Sequence, residues 1–187
     1  MAIGAGIAVV GLFLPAQAHA VDAGVWPELA KTKDLTATFT QVQHRAVLKA
    51  PLTSTGTVHF SRPQDLSWVV ETPSKSSFTL KNSIATMSYP ELGTNDVIDL
   101  ASVPDANRLA TSLLVWMQAD ASAVDRDFTV SYSATGAVLV PKDAQLHKLI
   151  ASISLTLVPD PWRVSAVSLA EPDGDRVDIS FSNVVLK

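Results

Sequence analysis

With 47% apolar residues, 17% charged residues and no cysteine, this 187-residue chain excludes a disulfide framework, a thiolate metal site, a cysteine nucleophile and an anchor through a lipidated cysteine. A net charge of −4 without any Lys/Arg run leaves no electrostatic footprint for nucleic acid or an anionic membrane surface. Apolar surface in this excess has to be buried in a core or kept for a ligand.

The first 20 residues run apolar from Ile3 to Leu14 and end in Pro15-Ala16-Gln17-Ala18-His19-Ala20, an A-x-A cleavage pattern. A secretory signal peptide is expected over 1–20, because the apolar run is shorter than the roughly 20 residues of a membrane span. The first basic residue is Lys31, so a basic leader segment is expected upstream of Met1. Residues 21–187 are then one domain by length. Export without cysteine fits the periplasm of a Gram-negative bacterium.

Val25, Leu29, Leu35 and Phe39, with charged residues between them, predict an amphipathic helix over 25–40 that grades into a strand near 36–39. Short strands follow at 56–61, 66–71, 76–81, 84–88, 127–133, 137–140, 150–158, 163–170 and 176–184. In the first two, Val58-x-Phe60-x-Arg62 and Leu66-x-Trp68-x-Val70 each set three side chains on one face. Residues 106–119, with Leu109, Leu113, Leu114, Trp116 and Met117, predict a mid-chain helical insert. Ser133-Ala134-Thr135-Gly136 and Glu171-Pro172-Asp173-Gly174 predict two antiparallel hairpins. The sum is an α+β layout: an antiparallel sheet of at least nine strands with an N-terminal helix and a helical insert.

Chemistry-bearing residues give little. His44, His59 and His147 sit in different elements without a nucleophile motif, and His59 points away from the face that carries Arg62. Asp125-Arg126-Asp127 and Asp173-Gly174-Asp175 lack the oxygen density of a calcium loop and read as turn chemistry. No catalytic residue, metal or cofactor is expected. Phe60, Trp68, Phe78, Met87, Leu113, Leu114, Trp116 and Met117 are either a filled core or the lining of a cavity under a helical lid, and the residues alone leave that open.

Phe39-Thr40-Gln41, Gly56-Thr57-Val58-His59-Phe60-Ser61-Arg62-Pro63, Trp68, Thr72-Pro73, Leu139-Val140-Pro141 and the stretch from Val177 to Asn183 resemble the LolA family, periplasmic carriers of outer-membrane lipoproteins. The resemblance implies an incomplete antiparallel β-barrel, a half-barrel, covered by an N-terminal helix and a helical lid. It implies no enzyme activity, a monomer, acylated lipoprotein or lipid cargo, an inner-membrane donor complex and an outer-membrane acceptor. Carried onto this chain, the lipid-binding residues are Phe60, Leu66, Trp68, Val70, Phe78, Met87, Leu113, Leu114 and Trp116, with Arg62 as the lid latch. Two departures stand out. Lys81 to Pro90 replaces a segment that in the family carries Gly and Trp, and the sequence ends at Lys187 without the C-terminal loop and strand of the best-known members. Cargo and docking partners stay open on that account, and a lipid-sensing or structural adaptor domain of an envelope complex is the alternative on the same fold.

Overall fold

The computed structural model describes residues 20–103, 107, 110 and 114–187. Eleven strands form one antiparallel sheet: β1 (Asp34–His44), β2 (Leu52–Ser61), β3 (Asp65–Thr72), β4 (Ser76–Lys81), β5 (Ile84–Tyr89), β6 (Thr94–Asp99), β7 (Phe128–Tyr132), β8 (Gly136–Pro141), β9 (Ser152–Val158), β10 (Arg163–Ala170) and β11 (Arg176–Leu186). Their order is β6-β5-β4-β3-β2-β1-β11-β10-β9-β8-β7, so the sheet stays open at β6 and β7 and its centre is the pair of terminal strands. Among the described residues it is accompanied by α-helical segments α1 (Val25–Ala30), α2 (residues 114–118), α3 (Ala121–Asp127) and α4 (Ala144–His147), and by single 3-10 turns at Pro90–Leu92 and Leu100–Ser102.

Neighbours in sequence pair as meanders on each side of β1 and β11, which leaves β6 and β7 at opposite edges of the sheet. Among the described residues between those two strands, Trp116 and Met117 of α2 line the same apolar cleft as Val58 and Phe60 of β2.

That inner face is laid out by register. Residues directly opposite in antiparallel strands share a face, so Leu35, Phe60, Leu66, Leu80 and Ala85 form one row across five strands, and Ala37, Val58, Trp68, Phe78 and Met87 form the next. Leu35 also faces Leu186, which carries the first row onto β11. The most deeply buried side chains come from the sheet (Phe39, Val58, Phe128, Leu139, Ile153) and from the helices that cover it (Trp26, Val115, Val124).

The two hairpins lie where their turns predict, between β7 and β8 and between β10 and β11. The predicted helix over 25–40 needs correction. α1 spans only Val25–Ala30, and from Asp34 the chain is strand, because Ala37 and Phe39 are buried while Thr38 between them is only half-buried and Thr36 and Thr40 on either side are exposed, a period of two. β6 has no counterpart in the expected strands. It is an edge strand with every residue exposed, so it has no buried face to impose an alternation, and Asn95, Asp96 and Asp99 are poor strand formers. α3 and α4 also have no counterpart among the expected elements, and Asp125-Arg126-Asp127, expected as turn chemistry, ends α3. Each starts at an aspartate N-cap: Asp120 accepts from the amides of Ser122 and Ala123 at 3.0 and 3.1 Å, and Asp143 from those of Gln145 and Leu146 at 2.9 Å.

α1 is tied to the far half of the sheet by one polar contact. The buried Trp26 donates its Nε1–H to the Tyr132 hydroxyl at 2.8 Å. Tyr132→Phe is expected to cost about 1–2 kcal/mol, since it leaves an indole N–H without a partner. A urea midpoint that falls at constant slope is the result to look for; an unmoved midpoint shows that the indole finds another acceptor.

Candidate functional site

Under α1 and α2 lies an apolar cleft. Its floor is Leu35, Ala37, Val58 and Phe60 on β1 and β2, together with Phe181, Val184 and Leu186 on β11. Leu29 of α1 and Trp116 and Met117 of α2 form its roof, and Trp162 and Val164 close the side next to β10. The polar members of the lining are Thr32, Arg62 and Arg163. The enclosed volume is only about 50 Å³, against roughly 300–1,000 Å³ for a pocket that buries a small organic ligand. In this state the helices sit down on the sheet and the cleft is nearly filled by its own side chains.

Arg62 follows the end of β2 and lies between these layers. Its Nη2 donates to the Leu29 carbonyl at 2.9 Å, its Nε to the Thr32 carbonyl, and its Nη1 to the Gln118 carbonyl. The Leu29 and Gln118 oxygens belong to the C-terminal ends of α1 and α2, where a helix leaves carbonyls without intrahelical partners and carries the negative end of its dipole, and the Thr32 oxygen belongs to the turn between α1 and β1. One guanidinium therefore caps two helices and binds both to the sheet. Its carbon lies 5.7 Å from the centre of the Phe60 ring, a cation–π distance. Burial pushes its pKa below the ordinary arginine value, yet arginine stays protonated at any physiological pH. Lysine at this position could not reach three carbonyls from one planar fork.

Of the residues the sequence singles out, Phe60, Arg62, Trp116 and Met117 come together in the cleft. Leu66, Trp68, Val70, Phe78 and Met87 do not line it. Leu66 is buried in the core, Trp68 stacks on Phe39 at 4.1 Å and meets the Phe181 ring edge-on at 6.2 Å, and Val70 and Phe78 are half-buried further along the same face. Met87 is partly exposed, with Tyr89 Oη at 2.7 Å from its sulfur. Leu114 is half-buried against the core, and Leu113 lies outside the described residues.

The sequence did not single out Leu29, Leu35, Ala37, Trp162, Val164, Phe181, Val184 and Leu186. The alternation Val177-x-Ile179-x-Phe181 marks a half-buried strand, but only the pairing of β11 with β1 brings that strand under the same helices.

The remaining polar groups have structural partners. His44 lies 3.2 Å from Asp178, and His59 lies 2.9 Å from Asp34, on the face opposite its buried neighbours Val58 and Phe60. Glu171, Asp173 and Asp175 converge at the β10–β11 turn, but Arg45 is already among them, 2.6 Å from Glu171 and 3.2 Å from Asp175. The Ala46 amide holds the Asp175 carboxyl below its usual pKa, partial burial opposes this, and Arg45 adds to it. Asp173 accepts from the Asp175 amide, as a turn residue does. Among the described residues no helix is long and apolar enough to cross a membrane.

No curated protein matches this chain in sequence. Among solved structures it is similar to a LolA superfamily protein from Nitrosomonas europaea, with 11% identity over 90% of this chain and 94% of that one at a TM-score of 0.44. It is also similar to the MucA/MucB complex structure from Pseudomonas aeruginosa, with 12% identity over 89% and 57% at 0.48, and to LprF from Mycobacterium bovis, with 13% over 87% and 91% at 0.39. The family model described as outer membrane lipoprotein carrier protein LolA matches residues 30–187, from the end of α1 through β11, and the chain belongs to the LolA family.

Proposed function

We propose that this protein is a non-enzymatic periplasmic carrier that shelters the acyl chains of a lipoprotein, or of another acylated lipid, and delivers them toward the outer membrane. The observation that carries this reading is the cleft itself, an apolar floor and an apolar roof joined by Arg62 hydrogen bonds to the ends of two helices. Each CH₂ kept from water is worth about 0.8 kcal/mol, so a chain of about 14 methylenes gains roughly 11 kcal/mol from shelter. Three hydrogen bonds from a charged donor, about 1.5–3 kcal/mol each, add up to less than that gain, so such a chain can displace them. Cargo and lid compete for the same apolar floor. A closed, nearly filled cleft is then the state to which the carrier returns after handover. The leader over 1–20 supports export, and family membership supports a donor complex and an acceptor on either side of the periplasm.

Protein purified from the periplasm is expected to yield acyl-chain species in an organic extract analysed by mass spectrometry, and the stripped protein to take up a fluorescent fatty-acid probe at about one per chain. Empty extracts together with no probe uptake would make the inner face a filled core and this domain an adaptor.

A further inference from the structure

β11 pairs with β1 from Arg176 to Leu186, but with β10 only from Arg176 to Ser180. Beyond Ser180 the two strands part. Register slips on β10 between Val164 and Ala166, and on β1 between Thr36 and Thr38, while Asn183 takes a left-handed φ of 51°. At the parting lies an open slot between the two strands, with Pro161, Arg163 and Ser165 on one side and Ser182, Asn183 and Leu186 on the other. Arg163, Phe181, Val184 and Leu186 line both this slot and the apolar cleft, so the two spaces adjoin through the same walls.

Arg163 differs from the other arginine in the cleft. Arg62 is spent on helix carbonyls, whereas the half-buried Arg163 makes a single long hydrogen bond, 3.4 Å to the Pro161 carbonyl, and has no carboxylate within ion-pair reach among the described residues. Arg45, Arg126 and Arg176 all have carboxylate partners. A guanidinium at the boundary of a greasy cleft loses part of its hydration and is best satisfied by an anion that its fork can hold at two points.

We propose that Arg163 anchors the anionic head group of an acylated amphiphile, a carboxylate or a phosphate, whose tail lies in the cleft and whose head sits in the slot between β10 and β11. This rests on the carrier reading and names the chemistry of the cargo: the head is negative, not neutral.

The test uses three fluorescent probes with one common tail, a carboxylate, a phosphate monoester and an uncharged methyl ester, titrated into the full chain at low salt. Wild type is expected to prefer at least one anionic probe over the ester by about fivefold, the size of one hydrogen bond made in competition with water. Arg163→Gln should abolish that preference while leaving ester affinity within about twofold, and Arg163→Lys should restore part of it. The ranking of carboxylate against phosphate identifies the head. Three results overturn the proposal: equal binding of anion and ester by wild type, a preference that survives in Arg163→Gln, or a preference that disappears in Arg62→Gln instead. Uptake of the ester without anionic preference overturns the Arg163 assignment alone, and uptake of none of the three overturns the carrier reading with it.

Discussion

Arg62→Leu is expected to hold cargo more tightly than wild type, with an apparent affinity for an acyl probe ten- to hundredfold higher. The reason is a population shift. On the carrier reading cargo binds only when α1 and α2 have lifted from the sheet, so the apparent affinity is the intrinsic one reduced by the fraction of molecules that are open. In the closed state Arg62 donates to the Leu29 and Gln118 carbonyls at the ends of the two helices and to the Thr32 carbonyl in the turn after α1. Losing the worth of even one hydrogen bond from a charged donor, about 1.5–3 kcal/mol net, is a factor of about ten to a hundred. Leucine keeps the side chain apolar beside Phe60 but has no donor, so the closed state loses this support while the floor of the cleft is kept. At equilibrium with acceptor vesicles, more probe should stay on the variant by the same factor. Circular dichroism should show the fold retained, with a melting temperature a few degrees lower at about 2–4 °C per kcal/mol. A folded variant with unchanged affinity and unchanged partition would remove Arg62 from the mechanism.

The largest loss of stability is expected from Gly56→Ala. A Cβ at this position would stand 1.8 Å from the Val69 carbonyl oxygen and 2.9 Å from Phe39 Cζ. The first clash is with backbone, which cannot rotate away. Here β2 slips register against β3, with Thr55 opposite Thr72 and Gly56 opposite Val70, and the two chains close up on the glycine. The Phe39 ring lies over the gap and continues into its stack on Trp68. Adding one methyl therefore pushes apart two central strands and an aromatic pair. A cost of about 3 kcal/mol, near the upper end for overpacking, lowers the melting temperature by roughly 6–12 °C in a domain of this size. Gly136→Ala should behave alike, since its Cβ would lie 1.9 Å from the Leu155 carbonyl oxygen. Gly174→Asn is the contrast: nothing lies within 4 Å, so its cost comes only from placing an L residue at φ +93° and should stay below that of Gly56→Ala. Equal melting temperatures for Gly56→Ala and wild type would show that the strands part without cost.

Most of the strands were legible because they are half-buried. Val58/Phe60 and Leu66/Trp68 alternate with outward residues, and the observed bounds of β4 and β10 are those the pattern predicts. Legibility failed where that physical cause was missing or weak. β6 has no buried face at all. The stretch from Leu35 to Phe39 carries leucine and phenylalanine at a spacing that suits one face of a helix as well as one face of a strand, and pairing with β2 and β11 decides for the strand.

The sequence by itself determined the class of the protein: a cysteine-free, apolar-rich, antiparallel α+β chain with the Gly56 to Pro63 motif and without a catalytic motif. Those properties live in local pattern and residue chemistry. Only the tertiary structure decided which apolar side chains share one cleft, because half of its floor comes from β11, which reaches β1 across more than a hundred residues of chain. It also decided what the arginines do. In the sequence Arg62 and Arg163 are two cations on two strands. In the fold one caps the ends of two helices, and the other has no carboxylate partner among the described residues where the sheet parts. A strand shows which face a side chain is on, but its partners come from the order of strands and from the helices that cover the sheet.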